Sequence, residues 1–346
     1  MKPIAVRLLA CLSLLLFAGY VPPAAAQQAT VRIGQAVPTL SFLPLYAARA
    51  TDGFAAQGLH LQFVAIQGGD PPALAALDSG DIDFAAVGSD TALAAIAKGQ
   101  PFQFVYSLMS QVSLELVVSN DFLKRTGVSP TDPLQKRIKA LKGAIIGVSA
   151  VGGAQDRMAR WLVAQGGLDP QRDLKVAMIG PPPAIHAALE HGQIDGFVLS
   201  PPEGKLTEEA GVGKVLIRLG ADFADLRSLP YLVLVAKKPL DAKTRDLAIK
   251  TVRALQAASR ATLADPARVA GAIQAQFYPK LKPAVVLAAI DAMKGGIAAD
   301  GRMDVAQVKR LLQLTSATGE KVALDPAPGP HGFWSDDIID AAKQGK

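Results

Sequence analysis

Hydrophobic positions fall into short runs separated by Gly- and Pro-rich breaks, and two stretches of the chain repeat the same succession. Residues 64 to 83 align without a gap on residues 176 to 195, with ten identities in twenty positions. Val64, Ala65, Gly68, Pro71, Ala75, Ala76, Leu77, Gly80, Ile82 and Asp83 face Val176, Ala177, Gly180, Pro183, Ala187, Ala188, Leu189, Gly192, Ile194 and Asp195. Ala is common enough to match by chance, but Gly, Pro, Ile and Asp kept in register point to a duplicated unit. Each copy predicts an apolar strand, a Gly/Pro loop, a helix, a Gly stop and a second apolar strand. Pro71 and Pro183 suit a first helical turn, where no N–H partner is lost, and Asp70 can cap its helix. Gly80 and Gly192 suit the left-handed position that closes a helix, and residues 82–87 and 194–199 read as short buried strands.

Upstream of each copy comes another strand and helix, at 31–36 with 45–50 and at 144–149 with 156–165, the helices running on to Gly58 and to Gly166 with Gly167. Strands joined by helical crossovers run parallel, so the alternation predicts two similar α/β lobes. Residues 114–119 read as a strand leaving the first lobe and 231–236 as one returning, two crossings that make a hinge. The expected division is 27–116 with 230–346 for the first lobe and 117–229 for the second. From Leu240 the pattern is mostly helical, broken near Asp265 and Pro266, Pro279, Gly295 and Gly296, and should wrap the first lobe. Pro326, Pro328 and Pro330 mark a loop before a short last helix at 336–342.

Length agrees with two lobes, since 346 residues exceed the roughly 150 of one ordinary domain. With 50% hydrophobic and 19% charged residues, the chain can bury sizeable cores, which excludes disordered and collagen-like classes. Lys2 and Arg7 precede an apolar run at 8–17, and Ala24, Ala25 and Ala26 follow it, the order of a secretory signal cleaved after Ala26. Cys11 stands at the start of that run, whereas a lipid-modified Cys should follow it. The remaining 320 residues lose Lys2 and Arg7, carry +4 in place of +6, and contain no Cys, so they can form no disulfide, thiolate nucleophile or Cys-ligated metal site. Lys and Arg are scattered, with Lys136, Arg137, Lys139 and Lys142 the densest group and no aromatic residues among them, which argues against nucleic acid.

Open parallel sheets bind ligands beyond the carboxyl ends of their strands. The loops there are 37–41, 67–70 and 88–91 in the first lobe and 150–155, 180–183 and 200–203 in the second, rich in Gly, Ser, Thr and Pro. Facing one another, they would form an interdomain cleft. Helix starts at Asp90 and near Ala154 would aim free N–H groups and the positive dipole end into it, an anion site without a buried Lys or Arg. Ser89, Thr91, Gly153 and Gln155 are then candidates for the polar end of a ligand; the competing reading makes Ser89 and Asp90 helix caps and the glycines mere turns. Phe42, Tyr46 and Tyr106 could flank a ligand or belong to the core. Aromatic residues make up 5% of the chain, and Trp161 and Trp334 lie outside these loops, which disfavours a sugar.

Taken in order, Pro44, Leu45, Tyr46, Ala47 and Ala48, then Asp52, Gly53 and Phe54, Gly58 and Leu59, Gly68 and Gly69, residues 75–84, and Ile194, Asp195 and Gly196 carry a resemblance. The chain resembles the periplasmic substrate-binding proteins of ABC importers in the nitrate, sulfonate and taurine group, which are related to pyrimidine-precursor binders. The resemblance implies an α/β, two-lobe periplasmic-binding-protein fold of type II, each lobe a parallel-core sheet flanked by helices, joined by a two-segment hinge. It also implies a monomer in the periplasm that closes on a small, anionic organic solute and delivers it to an ABC permease in the inner membrane, with no cofactor. By position its cleft contacts map onto Thr39, Leu40, Ser41 and Phe42, Gly68 and Gly69, Ser89, Asp90 and Thr91, Gly153, Ala154 and Gln155, and Ser200 with Pro201. Many relatives have an aromatic, an acid and Pro after the last strand of the second lobe; this chain has Ser200, Pro201, Pro202 and Glu203.

Enzyme readings lack a seat. There is no P-loop, no G-x-G-x-x-G after a strand and no nucleophile elbow around Ser89, so no catalytic residue is assigned. His186 and His191 are five positions apart, about 140° around a helix, and read as surface residues rather than metal ligands. The pyrimidine-synthesising enzymes of this scaffold use a Cys-rich segment that the exported chain lacks. A periplasmic ligand sensor of the same fold stays open beside transport.

Overall fold

The computed structural model describes residues 28–35, 39–318 and 322–344; the predicted signal and its cleavage position lie outside the described residues. Strand β1 (Ala29–Gln35) leads into helix α1 (Leu43–Ala50), β2 (Leu59–Ala65), α2 (Asp70–Ser79), β3 (Phe84–Gly88), α3 (Ser89–Ala97) and β4 (Phe102–Gln111). The chain then crosses to β5 (Glu115–Ser119), α4 (Asn120–Thr126), α5 (Leu134–Lys139), β6 (Ile145–Val148), α6 (Ala154–Gln165), β7 (Lys175–Met178), α7 (Pro182–Glu190), β8 (Gly196–Leu199), α8 (Glu203–Glu209), β9 (Gly213–Arg218) and α9 (Leu219–Asp222). It returns on β10 (Arg227–Lys237) and ends in α10 (Ala242–Ala264), α11 (Pro266–Phe277), α12 (Pro283–Met293), α13 (Val305–Ala317) and α14 (Asp337–Gln344).

Two five-stranded sheets result, in the orders β2-β1-β3-β10-β4 and β7-β6-β8-β5-β9. The three strands of each duplicated region pair in parallel, and each sheet is completed through antiparallel pairings, of β10 with β3 and β4 in the first and of β5 with β8 and β9 in the second. In each sheet the fourth strand is one that has just crossed over: β10 returns to the first lobe and β5 enters the second. The crossings lie side by side, for the Val112 N–H donates to the Leu226 carbonyl (3.0 Å) and the Leu219 N–H to the Leu114 carbonyl (3.0 Å). Two bonded crossing segments are the hinge expected from the sequence.

Duplication extends to packing. A Cβ on Gly34 of β1 would come within 2.5 Å of Ile82 and 2.8 Å of Ile66, and one on Gly147 of β6 within 2.6 Å of Ile194 and 3.4 Å of Ile179. Each lobe thus closes its helical crossover onto the central strand at a glycine. Alternation on β3 buries Phe84 and Ala86 against α1, α10, α11 and α14 on one face, and Ala85 and Val87 against α2, α3 and Trp334 on the other. The C-terminal helices wrap the first lobe, as their apolar faces require.

Predicted elements differ from observed ones mostly at their ends. β10 is longer than its predicted core at 231–236, because it also pairs with β4, the edge strand at 102–111. Asp70 is not a cap: Gly69 holds the N-cap position of α2, and the Asp70 carboxylate turns instead to the next loop. Phe42, Tyr46 and Tyr106 are core residues, at most 4% exposed.

Candidate functional site

Loops from the carboxyl ends of both sheets meet at one cluster of polar groups. From the first lobe, the Asp70 carboxylate accepts from the Gly88 N–H (3.1 Å), tying the 68–70 turn to the end of β3. Asp90, in the first turn of α3, accepts from the Thr91 N–H (2.8 Å). A Cβ on Gly88 would sit 2.9 Å from oxygens of both Asp70 and Asp90, so this glycine lets two carboxylates converge. From the second lobe, Arg157 on α6 reaches across the cleft. Its Nε and Nη2 donate to Asp90 Oδ2 (2.9 and 2.5 Å), Nη2 also to Thr91 Oγ1 (3.0 Å), and Nη1 to the Gly152 carbonyl. The side chains of this ion pair are 14% and 18% exposed, so it is shielded as surface pairs are not.

Hydrogen bonds and an ion pair tie the second lobe's half together. The Asp156 carboxylate accepts from the Gly152 N–H (2.7 Å) and pairs with Arg160 (2.7 Å), fixing the turn before α6. Gln155 accepts from the Ser149 N–H (3.1 Å), and Gly153 is the N-cap of α6. Behind the cluster stands Tyr231 of β10, packed against the cores of both lobes. Burial first, then the charges of Asp90 and Asp70, push its phenol up, so it remains a neutral hydroxyl.

The other predicted residues sit around this centre. Ser89 neither caps α3, whose N-cap is Gly88, nor points away; its hydroxyl donates to the Tyr231 carbonyl (3.0 Å). Thr39 and Ser41 share a hydroxyl hydrogen bond (3.2 Å), while Leu40 and Phe42 pack into the core of the first lobe. Gly68 and Gly69 both have positive φ, 91° and 90°, at the turn that presents Asp70. Ser200 lies nearer the crossings, its hydroxyl 3.1 Å from that of Ser113, and Pro201 beside it is buried. Thus 68–70, 88–91 and 152–157 come together, whereas 39–42 and 200–201 are set back into the first-lobe core and the hinge.

Sequence reasoning missed Asp70 as a site group and missed Arg157, Tyr231 and Gln35. The expected anion site without a buried basic side chain is corrected by the geometry: Asp90 occupies the positive end of α3, and Arg157 is half-buried against it. Gln35, fully buried at the carboxyl end of β1, donates to the Thr39 carbonyl (3.4 Å) and anchors the first loop. His186 is corrected too. It is half-buried rather than a bare surface residue, bonded through Nε2 to Glu203 (2.5 Å) and through Nδ1 to the Thr207 hydroxyl (3.3 Å).

Burial, reinforced by the Asp90 charge, pushes the Asp70 carboxyl up to about 7 against the opposing hydrogen bonds from Gly88 and Thr91 and the positive charge of Arg157. Burial does the same to Glu115 at the first crossing, also to about 7, although Arg218 pairs with it at 3.0 Å. A carboxyl whose folded pKa is raised stabilises the fold while protonated. That contribution is complete below its ordinary value near 4 and is lost as pH climbs towards 7. The unfolding temperature is therefore expected to decline from about pH 4 to about pH 7, and the double variant Asp70→Asn with Glu115→Gln to flatten the decline. Thermal melts across that range check it; an unchanged slope in the double variant would place its source elsewhere.

Three comparisons bear on identity. A sequence model described as the NMT1-like family matches residues 24–276. A Bacillus subtilis (strain 168) protein, YtlA, named as a binding protein, is 24% identical over 231 residues, 66% of this chain and 65% of its own length. The matched stretch thus spans just under two thirds of that relative. Among solved structures, one from Bordetella bronchiseptica RB50 superposes with a TM-score of 0.75 at 23% identity, covering 92% of this chain and 98% of its own. The alkanesulfonate-binding protein SsuA of Xanthomonas axonopodis pv. citri gives a TM-score of 0.65 at 18% identity, covering 86% and 97%. With two sheets of matching order, a two-segment hinge and a family match over most of its length, the chain belongs to the NMT1-like family and has the periplasmic-binding-protein fold.

Proposed function

We infer that the protein is the solute-binding component of an ABC-type import system, capturing a small organic solute with an anionic group between its lobes. The observation that carries this reading is the ion pair of Asp90 and Arg157, which joins loops from the carboxyl ends of both sheets across the cleft. A two-lobe protein transmits capture only if its lobes gain contacts on closing that the open form lacks. Here the groups able to make them already face each other from opposite lobes. The binding-component relatives, among them one named for alkanesulfonates, support the same role. In that role the exported protein works as a periplasmic monomer that presents its loaded form to a membrane permease, and it needs neither a cofactor nor a catalytic residue.

Calorimetry and X-ray scattering on one sample test the reading, with sulfonates, carboxylates, nitrate and pyrimidines as trial solutes. A true ligand is expected to bind and to compact the protein, and at 100 times its Kd to add roughly 2.7 kcal/mol of stability. Arg157→Ala should expand the solute-free protein and weaken that ligand by at least about tenfold, the loss of one shielded charged contact. Tight binding without compaction would remove the hinge mechanism.

A further inference from the structure

Both crossing segments pass from one lobe's core to the other's within a few residues, which fixes where the lobes pivot. On the outgoing segment Met109 is buried in the first-lobe core and the Ser110 hydroxyl donates to the Gly296 carbonyl (3.0 Å), whereas Val112 and Leu114 are buried in the second-lobe core. On the return, Leu226 is buried in the second-lobe core and Leu229 in that of the first. The Arg227 guanidinium donates to the carbonyls of Gly220 (2.8 Å) and Ala221, holding it to the second lobe. One residue on, the Ser228 carbonyl accepts from Arg310 of α13 (2.9 Å), holding it to the first. Arg227 pairs with Gln111, and the pairing with β4 then breaks until Leu232. A rotation of lobe on lobe must therefore be taken up by the dihedrals of Arg227 and Ser228 on the return and of Gln111 on the way out.

Ser228 is not relaxed. Its φ is 51°, and Asp52, on neither crossing, is the one other non-glycine residue with positive φ among the described residues. A residue with a Cβ is disfavoured there by about tenfold and stays only where its surroundings over-determine it. Ser228 is exposed, so packing of its own side chain does not hold it. What holds it are the anchors on either side, Arg227 to one lobe and Arg310 to the other, and the Arg157–Asp90 pair that sets the angle between the lobes.

We propose that Ser228 is the strained pivot of the hinge and, in the solute-binding role inferred above, a determinant of affinity. Its left-handed backbone belongs to the closed arrangement and returns to negative φ when the lobes part. The strain opposes closure, so the closed form is less populated without solute, and part of the solute's binding free energy goes into winding the pivot. Glycine, as much at home at positive as at negative φ, removes that bias.

The test is X-ray scattering on the solute-free protein, comparing wild type, Arg157→Ala, and Arg157→Ala combined with Ser228→Gly or with Ser228→Ala. Arg157→Ala is expected to part the lobes. Adding Ser228→Gly should raise the ratio of closed to open protein about tenfold, read as a smaller radius of gyration. Adding Ser228→Ala, which removes the hydroxyl but keeps the Cβ, should leave the dimensions of Arg157→Ala unchanged. If glycine does not compact the protein, the strain is common to open and closed forms and the proposal is overturned. Equal compaction by glycine and alanine overturns it as well, because the effect would then belong to the hydroxyl. An Arg157→Ala protein no larger than wild type overturns it at the first step, since the ion pair would not be what sets the lobe angle. No solute enters the measurement, so failure here leaves solute capture standing, and failure of solute capture in calorimetry leaves the pivot standing without its part in affinity.

Discussion

Replacing Gly301 by alanine is expected to remove about 4 kcal/mol of stability, several times the loss from the same change at Gly99, as overpacking adds to backbone strain. Both glycines are left-handed, with φ of 72° and 91°. Around Gly99 nothing lies within 4 Å of an added Cβ, so alanine there meets only the strain of its φ, about 1 kcal/mol. At Gly301 the Cβ would overlap Cδ2, Cε2 and Cζ of Tyr106. Neither side can yield. Tyr106 is fully buried with its hydroxyl 3.1 Å from that of Ser259, and the Gly301 carbonyl accepts from the Ser107 N–H (2.9 Å) in the same strand. Denaturant unfolding of the two variants side by side is the measurement, and equal losses would mean that the segment after α12 does not seat against β4 as described.

That seam marks where sequence reasoning ran out. A helical C-terminal wrap was legible from its apolar periodicity, yet nothing local says which strand it covers. β4 and β9 lie outside the duplicated stretch, and no repeat calibrates them. The same limit applies to the site. Gly68, Gly69, Ser89, Asp90 and Thr91 could be named because loops after strands are readable from turn residues. Arg157 could not be paired with Asp90, because they are 67 positions apart on different lobes and meet only through the geometry of the hinge. Asp70 was visible as an acidic residue at a helix start, where capping is the commonest role. Its actual partner, the Gly88 N–H, is 18 positions away and becomes near only when β3 lies beside β1 and α2 folds over it.

The duplicated Asp83 and Asp195 lead to the other large effect, because identity in register here reflects an identical task. Asp83 Oδ2 accepts from the Arg32 N–H at the middle of β1 (2.7 Å), and Asp195 Oδ2 from the Ile145 N–H at the start of β6 (2.9 Å). Each Asp N–H donates back to the carbonyl of the same residue, at 2.9 and 2.8 Å. Each carboxylate also holds an arginine, Arg32 at 2.7 Å and Arg125 at 2.6 Å. Asp83→Ala and Asp195→Ala are each expected to lower stability by about 2 to 3 kcal/mol, since a strand N–H loses a charged acceptor. Arg32→Ala and Arg125→Ala should cost under about 1 kcal/mol, because those side chains are 35% and 59% exposed and the pairs are weakened by solvent. The two aspartates serve separate sheets, so the double variant should lose the sum of the single losses to within about 0.5 kcal/mol. Urea unfolding of all five variants decides it: if the arginine variants lose as much as the aspartate ones, the ion pair and not the strand N–H is what the repeat has preserved.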